Sequence, residues 1–195
     1  TKIWGHNRLT TWKGLPEQQH IGESWEVSAV ASHPSVIANG TWAGYTLTDV
    51  IRKMPQAILG KAVAKQYGDE LPILVKLIDT NDDLSVQVHP DDEYALRVEG
   101  EYGKTEAWYI MDCDDDAEII YGFKSDISKE EFRKSIEENT LTDYVNRVKV
   151  KKGDIFFIEA GTLHAICKGI LLAEVQQNSN TTYRVYDYGR LGVDG

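Results

Sequence analysis

The stretch that decides the fold is Leu84-Ser85-Val86-Gln87-Val88-His89-Pro90, because it places two ligand-type side chains on one face of a predicted strand. Gln87 and His89 stand two positions apart, and side chains at that spacing point to the same side of a strand. Two further strand-like segments carry matching groups: Glu106 lies within residues 103–109, and His164 ends residues 153–164. Ligand-type side chains from three strands predict a catalytic metal site in a β-barrel.

These four side chains offer the donor atoms that a borderline divalent cation such as zinc prefers. His89 and His164 supply imidazole nitrogens, Glu106 a carboxylate and Gln87 an amide oxygen. Room remains for water, which is typical of a catalytic metal centre rather than a structural one.

The composition is typical of a soluble globular protein. Hydrophobic residues make up 42% of the 195 positions, enough for a core in one large all-β domain or two small ones. Charged residues make up 27%, and no apolar run approaches the ~20 residues that a membrane span needs. The two cysteines, Cys113 and Cys167, do not make a disulfide framework. We expect a cytoplasmic protein without a membrane partner.

The formal net charge of −10 argues against binding to the phosphate backbone of nucleic acids. It also constrains an anionic substrate, which would need a local cluster of positive groups to overcome the overall repulsion. The sequence leaves the oligomeric state open.

Short alternating segments separated by Gly and Asp turns predict a mainly β chain, a barrel or sandwich with a small helical subregion. Helical patterns occupy about residues 46–67 and 128–139, and Ser128 with Glu131 has the spacing of a capping box. Strands are expected at residues 23–28, 73–79, 84–89, 105–111, 117–123, 145–150, 154–159, 164–167, 171–176 and 182–188.

The three metal-site segments resemble those of a known family. Residues 153–164 match the second cupin signature, with Glu159 in place of its proline, while Gln87 stands where the first signature has a histidine. Together with residues 85–90, 103–109 and 160–165, they resemble type I mannose-6-phosphate isomerase, a cupin, in its short bacterial form. The agreement runs from Trp4 to Tyr188 and so covers essentially the whole chain.

The resemblance implies a cupin-type β-barrel (jelly roll) with one Zn²⁺ per chain, and it implies roles for individual residues. The metal ligands would be His89, Glu106, His164 and Gln87. Three more residues match catalytic positions of the family: Lys104, Glu174 and Arg184. Ser85 and Arg190 fall where the substrate phosphate is held.

The implied reaction interconverts mannose 6-phosphate and fructose 6-phosphate through a cis-enediol, which requires a base that removes and returns a carbon-bound proton. Lys104 and Glu174 are rival candidates for that base. Arg184 keeps its proton and would stabilise negative charge or help to open the sugar ring. Lys104, Arg184 and Arg190 would also supply positive charge for the phosphorylated hexose.

The family usually continues past Tyr186-Asp187-Tyr188-Gly189-Arg190 into a second cupin-like domain. This sequence ends at Gly195. We therefore expect residues 1–195 to form a single catalytic cupin domain with helical insertions, without that second domain.

Two other functions stay open at this point. His89, Glu106 and His164 also satisfy the two-histidine, one-carboxylate triad of an iron-dependent cupin oxygenase. A cupin that binds a sugar phosphate without turning it over is the other alternative. Lys104, Arg184, Arg190 and the glutamine near His89 favour sugar-phosphate chemistry over the oxygenase.

Overall fold

A computed structural model describes residues 2–16 and 20–190 of the chain. Within these residues the dominant elements are ten β-strands. In chain order they are β1 Glu23–Val27, β2 Ile73–Asp79, β3 Val86–Val88, β4 Glu106–Cys113, β5 Glu118–Phe123, β6 Val145–Lys149, β7 Ile155–Ile158, β8 His164–Ile166, β9 Ile170–Gln177 and β10 Tyr183–Tyr186.

The strands form two antiparallel five-stranded sheets. The first has the order β1-β2-β9-β4-β7 and the second the order β10-β3-β8-β5-β6. Most neighbouring strands in each sheet are not consecutive in the chain, as in a jelly roll; β1–β2 and β5–β6 are the exceptions. The prediction of a mainly β, cupin-type architecture is confirmed.

The core lies between the two sheets, where both contribute fully buried apolar side chains. The first sheet supplies Trp108 and Leu172, and the second supplies Ile119 and Ile166, all in one hydrophobic cluster. Burial of one such side chain contributes about 1.5–3 kcal/mol. Packing of the strands into two layers therefore depends on every second side chain of each strand, which points into the core.

Six short α-helices and one 3₁₀ turn, Leu141–Asp143, complete the described residues. None of these helices has the length and apolar character needed to cross a bilayer. The helices are α1 Arg8–Trp12, α2 Leu47–Lys53, α3 Pro55–Leu59, α4 Lys61–Tyr67, α5 Asp92–Val98 and α6 Lys129–Glu137.

The predicted helical segments are present, although one of them is divided. Residues 46–67 form three helices, because Pro55 opens the second and Gly60, with a φ of 80°, separates it from the third. The capping box at α6 is confirmed: Glu131 N donates to Ser128 Oγ, and Ser128 N donates to the Glu131 carboxylate. The sequence patterns did not predict α1 and α5.

Helix α1 is anchored by Asp79, at the end of β2. The Leu9 N–H donates to Asp79 Oδ2 at 3.0 Å, so a side chain 70 residues away provides an acceptor for the first turn. His6 and Arg8 lie 4.0 Å from the same carboxylate. Burial raises the pKa of Asp79, and these three groups only partly oppose the shift.

Replacing Asp79 with Asn should change how stability depends on pH. A raised pKa means that folded Asp79 binds its proton more tightly than unfolded Asp79. The resulting stability is complete below the ordinary value of 3.8 and is lost as pH rises through the folded value. The wild-type chain should therefore lose free energy of unfolding relative to Asp79→Asn as pH rises.

Urea unfolding of both proteins between about pH 4 and 7 measures this difference. Asp126→Asn, at an exposed position, is the matched control and should show no such trend. A difference between wild type and Asp79→Asn that is constant, or that grows in favour of wild type with rising pH, would contradict the expectation.

Candidate metal centre and substrate cleft

In the second sheet, strand register brings three of the predicted site residues into one row. Arg184 on β10 stands opposite Gln87 on β3, and Gln87 stands opposite His164 on β8. Residues directly opposite on neighbouring strands share a face of the sheet. His89 follows β3 two positions after Gln87 and is 1% exposed.

The first sheet contributes a second row from β2, β9 and β4. Lys76 stands opposite Glu174, and Glu174 stands opposite Trp108. Glu106 precedes Trp108 by two positions on β4 and so points to the same side. The Trp108 and His164 rings pack against each other with centroids 5.5 Å apart, so the two rows face each other across the sandwich.

His89, Glu106 and His164 form one buried cluster of potential metal ligands. The two Nε2 atoms, of His89 and His164, are 3.2 Å apart. Each also lies 3.5 Å from an oxygen of the Glu106 carboxylate. Neither Glu106 oxygen accepts a hydrogen bond from the described residues, although Oε2 forms an ion pair with Lys104.

These spacings fit a single metal ion. Ligand atoms bound at about 2.0–2.2 Å to one tetrahedral ion lie roughly 3.3–3.6 Å from one another. The separations of 3.2, 3.5 and 3.5 Å between the donor atoms of His89, Glu106 and His164 are close to that range. Two imidazoles and a carboxylate suit zinc or iron rather than calcium or magnesium.

The protonation states favour a metal as well. Burial lowers the pKa of His89 and of His164, which keeps both imidazoles neutral. The Thr162 carbonyl accepts a hydrogen bond from His164 Nδ1 at 2.8 Å. The proton of His164 is therefore on Nδ1, and the lone pair on its Nε2 faces the cluster. Burial alone would raise the pKa of Glu106, but Lys104 and the two histidines lower it well below its ordinary range.

Lys104 joins the cluster to the open cleft beside it. Its Nζ lies 2.9 Å from His89 Nε2 and 3.1 Å from Glu106 Oε2, and the residue is only 4% exposed. The same side chain lines the cleft. A ligand in the cleft would therefore meet Lys104 next to the potential metal ligands.

The cleft has a volume of about 1110 Å³, enough for a small phosphorylated molecule. It brings together all six of the predicted site residues outside the buried cluster. They are Ser85, Gln87, Lys104, Glu174, Arg184 and Arg190.

Glu174 is held by two neighbours that the sequence patterns did not single out. Lys76 Nζ lies 3.4 Å from Glu174 Oε1, and Trp108 Nε1 donates to Oε2 at 3.1 Å. Lys76 also lies over the Trp25 ring, 5.1 Å from its centroid. Lys76 is 6% exposed. Its position within the otherwise apolar strand β2 is the feature of the sequence that could have indicated a buried, functional lysine.

The two arginines of the cleft differ in their partners. Arg190 pairs with Asp187, lies 3.4 Å from Asp82 Oδ2 and donates to the Asp83 carbonyl at 2.8 Å. Arg184 is exposed and has no side-chain hydrogen bond or ion pair with any residue in the described ranges. The positive charge expected for an anionic substrate is therefore available from Arg184, whereas that of Arg190 is already balanced.

Comparisons with known proteins agree with this geometry. Residues 1–117 match the family described as phosphomannose isomerase type I, catalytic domain. Mannose-6-phosphate isomerase ManA of Bacillus subtilis (strain 168) is 46% identical over 195 residues, a match that covers 100% of this chain and 60% of that protein. The chain thus spans about three fifths of the length of the relatives it matches.

Solved structures give the same result. The crystal structure of mannose 6-phosphate isomerase from Bacillus subtilis superposes with a TM-score of 0.89 at 44% identity, over 100% of this chain and 60% of that one. A zinc-bound mannose 6-phosphate isomerase shares the fold, with a TM-score of 0.72 at 20% identity over 94% of this chain and 67% of that one. The family resemblance inferred from the sequence motifs is confirmed: the chain belongs to the type I phosphomannose isomerases.

Proposed function

We propose that this chain carries the catalytic centre of a zinc-dependent isomerase that interconverts mannose 6-phosphate and fructose 6-phosphate. The observation that carries the proposal is the buried trio His89, Glu106 and His164, whose donor atoms are 3.2–3.5 Å apart beside a cleft with an unpaired arginine. The names of the relatives support the substrate, and the zinc-bound relative supports the metal.

Three side chains would hold the zinc: His89, Glu106 and His164. Gln87 is the proposed fourth ligand, since it lies beside His164 in the sheet and lines the cleft. Bound zinc supplies Lewis-acid chemistry, which stabilises negative charge as it develops on the sugar oxygens.

The proposed reaction moves a proton between C1 and C2 of the sugar through a cis-enediol, and two residues are the proposed proton carriers. Lys104 Nζ is next to the ligand cluster, at 2.9 Å from His89. Glu174 lies in the same cleft with its carboxylate fixed by Lys76 and Trp108. We assign the proton transfer to this pair.

Ser85 and the two arginines are the proposed contacts for substrate charge. Arg184 is free to pair with the phosphate or the enediolate, whereas Arg190 must first leave Asp187. Ser85 directly precedes β3 and lines the cleft, where its hydroxyl is the proposed contact.

Arg184→Ala should weaken catalysis more than Arg190→Ala. Loss of an unpaired cation removes a charge-assisted contact to the substrate, so kcat/KM for mannose 6-phosphate should fall at least about tenfold. Arg190→Ala should raise KM only several-fold, because Asp187 already neutralises part of the Arg190 charge. Steady-state kinetics of both variants test this order, and an equal or larger loss in Arg190→Ala would reverse the assignment.

The proposed function is tested by incubating the purified chain with mannose 6-phosphate and following fructose 6-phosphate. The assay is run as isolated, after treatment with a chelator, and after zinc is added back. Turnover that is lost with the chelator and restored by zinc supports the isomerase. Bound zinc and bound substrate without turnover would favour a binding protein, and bound iron with oxygen uptake would favour the oxygenase.

A further inference from the structure

Trp108 lies between two groups to which the proposed function gives roles, yet it has none itself. The side chain is completely buried. Its indole Nε1–H donates to Glu174 Oε2 at 3.1 Å, and its ring contacts the His164 imidazole at 5.5 Å with an interplanar angle of 73°. One rigid ring thus contacts both a potential metal ligand and a potential proton carrier.

The sequence position of Trp108 accounts for both contacts. It follows Glu106 by two residues on β4, so it shares the inward face with that carboxylate. Its partner in the neighbouring strand is Glu174, and directly opposite residues are within reach of each other's side chains. Across the sandwich lies His164 on β8 in the other sheet.

We propose that Trp108 is a positioning residue for the isomerase, acting through Glu174; this inference rests on the proposed function. The terminal torsion of a glutamate is broad, so a carboxylate is not oriented by its own rotamer. Trp108 fixes Oε2, and Oε1 then faces Lys76 at 3.4 Å. The contact with His164 holds the indole, and through it the carboxylate, at a set distance from the ligand cluster.

The substitution Trp108→Phe isolates this role. Phenylalanine keeps an aromatic ring against His164 but removes the N–H donor to Glu174. We expect kcat for mannose 6-phosphate to fall about tenfold, because a carboxylate that can rotate is less often in the reactive orientation, with KM and bound zinc unchanged. Trp12→Phe, at a position that is 61% exposed, is the matched control and should keep wild-type kinetics.

A second substitution shows whether Trp108 acts through Glu174. If it does, Trp108→Phe should cause little further loss of kcat in a Glu174→Gln background, because the effects of two residues in one unit are not additive. The contact can also be observed without kinetics. The chain has five tryptophans, few enough for their indole N–H signals to be followed one by one by ¹H–¹⁵N NMR. The Trp108 signal should shift when Glu174 becomes Gln.

Several results would overturn the inference: wild-type kcat in Trp108→Phe, an equal loss in both backgrounds, or an indole signal that Glu174→Gln leaves in place. If Trp108→Phe does not fold, the NMR comparison of wild type with Glu174→Gln decides the matter. A wild-type chain with bound zinc and no turnover contradicts the proposed function instead, and the indole signal then decides the Trp108 contact separately.

Discussion

Glu106→Gln should abolish the proposed zinc binding and, with it, the proposed isomerase activity. The carboxylate provides the only negative charge in the buried trio, and a neutral amide is a much weaker ligand for a dication. Turnover should fall by about a thousandfold or more, which corresponds to roughly 4 kcal/mol of transition-state stabilisation. Metal analysis of the purified variant and the fructose 6-phosphate assay measure the two losses.

In the wild-type chain Lys104 Nζ lies 3.1 Å from the Glu106 carboxylate. Loss of that carboxylate also leaves the lysine without a partner of opposite charge. For that reason His164→Ala serves as a second variant, since it removes a ligand atom without changing the charge. Glu159→Gln makes the same chemical change as Glu106→Gln at an exposed position and should keep both metal and activity. Full zinc occupancy in both ligand variants would exclude the trio as the metal centre.

Gly103→Ala should strongly reduce both stability and activity, although Gly103 is not itself a proposed ligand. A Cβ at this position would lie 2.5 Å from the Asp91 carbonyl carbon and 2.6 Å from the Asp92 nitrogen. Both are backbone atoms, so the clash cannot be relieved by turning a side chain. The Gly103 N–H also donates to Asp92 Oδ1 at 2.8 Å, which ties the two segments together.

The site lies on both sides of this contact. His89 precedes the Asp91 segment, and Lys104 follows Gly103 directly. Forcing the segments apart should cost about 3 kcal/mol in the free energy of unfolding. It should also lower kcat/KM about a hundredfold, the effect of misplacing reacting groups by roughly 1 Å.

Gly100→Ala is the control, since it lies in the same loop, with a φ of +72° and no atom within 4 Å of the added Cβ. Only backbone strain of about 1 kcal/mol is expected there, with little effect on activity. Urea unfolding and steady-state kinetics of both variants give the comparison. Equal effects of the two substitutions would show that the close approach at Gly103 is not needed.

Strand positions followed from the sequence wherever the pattern was local. Residues 73–79 were predicted as a strand and form β2 with the same bounds, because apolar and β-branched residues run through it. The sequence patterns did not predict helices α1 and α5. For α1 the reason is physical, because it has only five residues and relies on the Asp79 carboxylate from a distant strand. No window of sequence around Arg8 contains that information.

The candidate site divides in the same way. The close approach of His89, Glu106 and His164 could be predicted, because each residue lies in a short recognisable sequence motif. Lys76 and Trp108 were not, since their contacts with Glu174 arise from the register between three strands. Nor could the sequence distinguish a free Arg184 from an Arg190 already paired with Asp187, a matter of side-chain geometry alone.

The trio spans the two layers of the jelly roll: Glu106 comes from the first sheet, and His164 comes from the second. An ion bound between them would therefore link the two sheets. Unfolding would then require the ion to dissociate, which adds its binding free energy to the free energy of unfolding. Each tenfold rise in free ion above its dissociation constant adds about 1.4 kcal/mol to the folded state. The concentration of free zinc would thus set the thermodynamic stability of the two-sheet fold as well as the occupancy of the centre.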